Sequence, residues 1–352
     1  MTLAALLDRS RKDKEDWKYT NLDALLASAA KRGKVPQPVY KKSDGEHIYI
    51  TFLNGVWQQD AALADTPFFS LAGDLASGYK LVAGEQACLV AQPLKFVFIT
   101  DENAPSEIPI KMSVDIGSNA SLTLLEKHLT SGALTTIEWD IALQPHAKFL
   151  HGKIVQNTTH LATTNVRIGA GAYYNNFALL KGGMPTRNET DVRLEGEEAQ
   201  ATLNGIMLLR DDQHADTTTC IRHQAPNCQS RQVYKTVLTD KAQGVFQGKI
   251  IVAENAQKSD GYQLSRALLL SDQAEMNAKP ELEILADDVK CSHGSTIGDL
   301  DEDALFYLRA RGLNETQARA LLIDAFIAEM FDELRVEEWK DIFRRECEGW
   351  QQ

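Results

Sequence analysis

The spacing of apolar residues changes character twice along the chain. Leu3, Leu6 and Leu7, then Leu22, Leu25 and Leu26, recur at intervals of three and four, which predicts helix over residues 1 to about 34; the Gly33–Pro38 stretch ends the pattern. From about residue 46 to 298 the texture is that of strands. His47-Ile-Tyr-Ile-Thr-Phe-Leu53 is rich in β-formers, and Asn54-Gly55 ahead of Val56-Trp57 signals a tight hairpin turn. From Leu300 onward the helical spacing returns. The division predicted is a helical segment over 1–45, a β core over 46–298 and a helical region over 299–352.

The middle region also repeats itself. A small or polar pair followed by alanine recurs, with an aliphatic residue four positions earlier: Ile116 with Ala120, Leu143 with Ala147, Ile168 with Ala172, Leu238 with Ala242, Val252 with Ala256 and Leu270 with Ala274. Leu285 with Val289 is a conservative variant, and Ala199 has its partner, Leu194, five back. These small residues lie 27, 25, 27, 43, 14, 18 and 15 apart. The early spacing is one coil of a solenoid and the late spacing about half a coil. Each unit reads as a strand, a tight polar corner and another strand. No such unit can bury its apolar face alone, so units must stack and share one core. No helical pattern interrupts the region, which disfavours a βαβ sheet. The expected class is mainly β, a β-helix (β-solenoid) flanked by helical segments, with a β-sandwich as the competing arrangement.

The last region carries helix boundaries in its sequence. Asp301, Glu302 and Asp303 sit where a first turn would be, Arg309 and Arg311 in a last turn, and Gly312 just beyond. Asn314 with Gln317 three residues on predicts a capping box. The helix that follows shows two apolar stripes, Ala318, Leu322, Ala325 and Phe326 on one and Ile323, Ile327, Met330 and Leu334 on the other. A helix packed on one surface needs only one stripe. Either both stripes pack within the chain, against the β body and a neighbouring helix such as 336–347, or one of them, with Phe331 and the acids Glu329, Asp332 and Glu333 at its rim, docks another protein.

Composition narrows the classes. The net charge of −12 repels nucleic acid unless basic residues are segregated, and the clusters Arg9-Ser10-Arg11-Lys12 and Lys41-Lys42 are short. No apolar run reaches the ~18 residues of a membrane span. Cys88, Cys220, Cys228, Cys291 and Cys347 are an odd, scattered set, which argues against a disulfide framework and for a reducing, cytoplasmic setting.

Catalytic motifs are few. Gly244-Val-Phe-Gln-Gly248-Lys249-Ile250 has one residue too few between its glycines for a phosphate loop, and Ile250 where a magnesium-binding hydroxyl is needed; it reads as a strand corner. No nucleophile elbow occurs. Two metal-like groupings remain. His214, Cys220, His223 and Cys228 follow no standard zinc spacing, and in a strand Cys220 and His223 leave opposite faces. Cys291 and His293 are two apart, so a strand sends both to one face, a half-site for iron or zinc that needs ligands from elsewhere. The alternative for that pair is a packed thiol and a turn histidine.

Those residues also carry a likeness. Lys290-Cys-Ser-His-Gly-Ser-Thr-Ile-Gly298, running into Phe306-Tyr-Leu-Arg309 and Arg311-Gly312, resembles the C-terminal signature of the SufD branch of the SufB/SufD family of iron–sulfur assembly proteins. Asp16-Trp-Lys-Tyr-Thr20, Gln213-His-Ala-Asp-Thr217, Gly244-Val-Phe-Gln-Gly-Lys249 and Ala256-Gln-Lys-Ser-Asp260 agree with it, so the likeness covers nearly the whole chain, which is short for the family in its N-terminal helical part. Where the SufB branch has an acceptor cysteine this chain has Ala274, and where it has Glu-His-Glu this chain has Ser292-His293-Gly294. The resemblance implies a right-handed parallel β-helix and a non-catalytic scaffold subunit. It implies pairing with SufB through the β-helix ends and binding of the SufC ATPase through the C-terminal helices, where Leu322, Phe326, Met330 and Phe331 are the candidate contacts. It implies His293, with Cys291 beside it, as an iron or cluster ligand at the SufB–SufD junction, a role in iron entry, and a cluster held transiently in the complex but by no lone chain. Two rivals stand beside it, a metal-dependent enzyme built on His214, Cys220, His223 and Cys228, and a homodimeric scaffold.

Overall fold

The structure, a computed structural model, describes residues 3–29, 48–58, 69–84, 93–100, 103–130, 133–156, 158–183 and 185–350. The predicted break at Gly33–Pro38, His47, the Lys41-Lys42 cluster and Cys88 lie outside the described residues.

The described strands run from β1 (Ile48–Leu53) to β19 (Lys290–Gly298) and alternate between two sheets, one of ten strands and one of nine, so that each coil contributes a strand to both. Apart from the hairpins β1–β2 (Val56–Trp57) and β3 (Phe69–Asp74)–β4 (Gly78–Ala83), neighbours pair in parallel and in register. This is the β-solenoid that the repeat predicts, and not a sandwich. Asn54 and Gly55 both take positive φ, 50° and 82°, as the hairpin turn requires.

Register turns sequence spacing into columns. In the ten-stranded sheet Leu122, Phe149, Tyr174, Ala201, Ser230, Gly261 and Cys291 stack in file along the interior. The repeated small residues mark where the chain turns. Asn119, His146, Glu198 and Asn227 adopt φ near 60°, and the next residue, Ala120, Ala147, Ala199 or Cys228, is buried. Gly171 takes the same conformation before Ala172. Each left-handed residue donates its N–H to a carbonyl of the next corner, Asn119 to Pro145, His146 to Ala170 and Asn227 to Gln257. Cys228 fills the wide gap between Ala199 and Ala242: it is the corner residue of that coil, a thiol standing where alanine stands elsewhere. One expectation needs correcting. Gly244–Ile250 is not a corner but the middle of β16 (Gln243–Val252), because the chain turns earlier, at Asp240 with φ 57°.

Helices cover both outer faces. Helix α1 (Leu3–Lys12) and α2 (Leu22–Ala29) bring Leu6, Trp17 and Leu22 against Leu134 and Leu161 of the nine-stranded sheet. Helix α3 (Glu302–Ala310) is capped by Asp301, and α4 (Glu315–Ala328) opens with the capping box of Asn314 and Gln317. The long helix expected to reach residue 334 stops at Ala328, passes into a 3₁₀ turn (Glu329–Glu333) and is followed by α5 (Glu337–Cys347). Ile323, Ile327, Met330, Phe331, Leu334, Trp339 and Phe343 bury themselves against Ile154, Phe177, Ile206 and Val233 on the outside of the ten-stranded sheet. Two lysines of that sheet staple the region. Lys235 Nζ donates to the carbonyl of Phe326 at 2.6 Å and pairs with Glu329, and Lys181 Nζ donates to the carbonyl of Glu346. Cations at helix C-termini also meet the negative end of the helix dipole. Among the described residues no helix is long and apolar enough to cross a membrane.

Candidate functional site: the open end of the solenoid

Among the described residues no strand pairs with the outer edges of the last coil. β18 (Glu275–Ile284) ends the nine-stranded sheet and β19 the ten-stranded one, and each pairs on one side only. Their free edges present a row of unpaired backbone groups, a template for pairing with another chain. Register gives the side-chain directions. Cys291, His293, Ser295 and Ile297 lie over Gly261, Gln263, Ser265 and Ala267 of β17 (Asp260–Leu269), all of which are buried. They therefore point into the solenoid interior, yet among the described residues no further coil covers them, and His293 and Ile297 are exposed. Leu285, at the end of β18, is 60% exposed. The end is an apolar ring, open to solvent, with a thiol and an imidazole set in it.

The pair does sit on one face, as the two-residue spacing demands. Burial pushes the Cys291 thiol up, against a lowering contribution from the Gly261 backbone, so the lone chain favours the neutral thiol over the thiolate that binds metal. Among the described residues no group of three or more His, Cys, Asp and Glu side chains is placed to hold a metal ion. The donors fit iron as half a site, one soft and one borderline, and lack the rest of a coordination shell.

The family model for the SUF system FeS cluster assembly, SufBD core domain, matches residues 98–326. The chain belongs to the SufBD family. Its relatives include the iron–sulfur cluster assembly protein SufD of Escherichia coli, 33% identical over 92% of this chain and 85% of that protein. A SufBD family protein of Synechocystis is 33% identical over 90% of this chain and 68% of its own length, and a chloroplastic protein of Arabidopsis thaliana, ABCI7, is 29% identical over 80% and 62%.

Several stretches that carry the SufBD likeness meet in space. The loop Asp16–Thr20 lies on the outer face of the nine-stranded sheet: Thr20 Oγ1 donates to Asp216, His214 Nε2 approaches the Tyr19 carbonyl at 3.2 Å, and Gln247 Nε2 donates to the Asp16 carbonyl at 3.0 Å. Trp17 stacks on the guanidinium of Arg187, 4.0 Å from its ring centre, and Arg187 pairs with the buried Asp216. Ala256–Asp260 forms the corner beneath the last one, where Lys258 donates to the Asp288 carbonyl and Lys290 to that of Ser259. It sets the height of β19. Ala274 stands buried at the corner before β18.

The structure does not bring His214, Cys220, His223 and Cys228 together. His214 and His223 are nine residues apart on β14 (His214–His223), about 30 Å at a strand's rise. Three of the four have partners of their own: His214 the Tyr19 carbonyl, His223 the Ser230 Oγ at 2.8 Å, and the Cys228 thiol the Gly196 carbonyl at 3.3 Å. Burial pushes the Cys220 thiol up to about 11 and lowers the His223 imidazole to about 4.

The candidate docking residues are also differently placed. Met330 and Phe331 are buried in the contact with the ten-stranded sheet, Leu322 and Phe326 are half-buried against it, Glu329 pairs with Lys235 and Glu333 with Arg231. The apolar surface these helices offer is instead Phe306, 75% exposed, with Tyr307 and Leu321.

One group the sequence reading missed lies inside the solenoid. Glu126 is wholly buried, with His128 Nε2 2.7 Å from Oε2, and His151 Nε2 at 3.0 Å and Lys153 Nζ at 3.2 Å from Oε1. Lys153 also donates to Asn188 and His151 meets Tyr174, while the His160 ring lies tilted against that of His128, 4.4 Å between centres, with both its nitrogens unpaired. Burial pushes the Glu126 carboxyl up, but Lys153 and His128 outweigh it and hold it well below the usual range. Burial drives the His160 imidazole well below its usual value, helped by His128 and Lys153. The available signal is parity: Glu126 and His128 continue the row of Leu122 and Leu124 on the inward face of β7 (Ser121–Leu129).

Proposed function

We propose that the chain is a non-catalytic scaffold subunit for iron–sulfur cluster assembly, pairing with SufB through its open solenoid end and with the SufC ATPase through its C-terminal helices. Membership of the SufBD family places the chain in iron–sulfur cluster assembly. The observation that carries the rest is the uncovered last coil, with two unpaired strand edges, an apolar ring and the inward-facing Cys291 and His293. A partner solenoid continuing the sheets would bury the ring, satisfy the edges and bring the missing ligands. His293 is then the iron ligand, with Cys291 beside it, and iron and a nascent cluster are substrates held transiently in the complex. The buried corner residue Ala274 offers no acceptor thiol, so sulfur is received by the partner. Phe306, Tyr307 and Leu321 are the surface offered to SufC, and Lys181 and Lys235 tie the helices behind them to the sheet that ends at β19. When ATP draws two SufC subunits together, that tie carries the movement to the junction. Free Cys220, Cys228, Cys291 and Cys347 suit a reducing, cytoplasmic setting.

The test is co-purification with SufB and SufC, followed by cluster reconstitution on wild type and His293→Ala. His293 is exposed in the lone chain, so alanine leaves folding and SufC binding intact while cluster assembly is lost. Full assembly by that variant would remove His293 from the site. The same edges could instead pair with a second copy of this chain, and mass measurement with and without SufB separates the two pairings.

A further inference from the structure

His293 is open on one side and built on the other. The layer beneath it is Gln263, in register on β17 and wholly buried. Its amide is held at both ends: Nε2 donates to the Gly248 carbonyl at 3.2 Å, and Oε1 accepts from Gln232 Nε2 at 3.5 Å. Gln232 in turn accepts from Thr219 Oγ1 at 2.7 Å. The chain of bonds spans the interior, from β14 and β16 of one sheet to β15 (Gln229–Leu238) and β17 of the other. Gly248 makes room for it, since a Cβ there would stand 2.3 Å from Gln263 Nε2. Under Cys291 the floor is Gly261, where a Cβ would meet Sγ at 3.3 Å.

A glutamine amide has two N–H donors and a carbonyl with two lone pairs. The two bonds made by Gln263 leave one of each. Either can pair with an imidazole nitrogen, and such a bond selects the tautomer and leaves the opposite nitrogen free for metal. An apolar floor would do neither.

We propose that Gln263 is a positioning residue for His293: its pinned amide forms a fixed polar floor that holds the imidazole at the open end with one nitrogen presented outward, and Gly248 is the space that keeps the amide there. The consequence for assembly rests on the reading of His293 as an iron ligand, but the geometry is testable on the chain alone.

The experiment compares wild type with Gln263→Leu and Gly248→Ala. Gly248→Ala displaces the amide from a position that touches neither His293 nor a partner. In chain labelled at histidine ring carbons, with His293→Ala supplying the assignment, the ring signals of His293 shift and split in both variants while those of His151 and His160 stay. In the complex with SufB and SufC both variants assemble about tenfold less cluster, the loss usual for a residue that orients a ligand, with co-purification retained and only a modest drop in melting temperature from the lost interior bonds. Unchanged His293 ring signals in both variants overturn the proposal, as does wild-type assembly by Gln263→Leu alongside loss in His293→Ala. Shifted ring signals with full assembly by His293→Ala uphold the floor and overturn the iron-ligand reading instead.

Discussion

Replacing Lys153 by methionine removes the one fixed cation from the interior cluster while keeping side-chain length. Glu126 is then a wholly buried carboxylate with only the imidazoles of His128 and His151 near its oxygens. Breaking a buried pair in this way costs about 3–5 kcal/mol, because the remaining charge loses its partner without regaining water. The loss depends on pH in a direction the geometry dictates. Lys153 is the largest influence holding the Glu126 pKa down, so its removal raises the folded-state pKa; the folded variant takes up a proton more readily at low pH and escapes part of the penalty, whereas the loss relative to wild type grows as pH rises through that raised pKa. The companion variant, Lys153→Met with Glu126→Gln, leaves no charge and should recover most of the loss, since replacing both members of a buried pair is often neutral. Urea unfolding of wild type, both single variants and the double variant at pH 6 and pH 8 measures this. A single variant within about 1 kcal/mol of wild type, a loss that does not change with pH, or a double variant no better than Lys153→Met would refute the reasoning.

Acid should destabilise the wild type early. Burial lowers the folded pKa of His128, His160, His214 and His223, so their stabilising contribution is full above the unfolded value of about 6.5 and is lost as pH falls toward the folded ones; thermal melts should show His223, whose folded value is about 4, removing about 1.4 kcal/mol by pH 5.5 with the other three adding to it, and a flat profile from pH 7.5 to 5.5 would contradict it. Met330→Ala should lower stability by about 2–5 kcal/mol in chemical denaturation, whereas Phe306→Asp should leave melting unchanged and weaken retention of SufC on a column carrying this chain. Trp17→Ala strips the cover from Arg187, so proteolysis should release the N-terminal helices while the solenoid survives; resistance equal to wild type would show that the Trp17–Arg187 contact does not hold them.

Much of this protein is written in local sequence. Strand alternation, the Asn54-Gly55 turn, the small corner residues and the caps at Asp301 and Asn314 depend on backbone sterics within a few positions, and all stand where the pattern puts them. The two-residue spacing of Cys291 and His293 likewise fixes their shared face, because side chains alternate in any strand. What the sequence left open concerns groups brought together by stacking. Glu126 comes from one strand and His151 and Lys153 from its neighbour, and they meet only because the register sets one coil on the next; a pattern reader sees an acid, a histidine and a lysine of solvated surface where there is a buried network. The corner at Cys228 was hidden because the position demands small size, which cysteine also satisfies. Which stripe of α4 is spent on the chain's own sheet, and whether an inward-facing His293 is covered or open, follow from which coil comes last, and that is a property of the assembled solenoid, not of any segment of it.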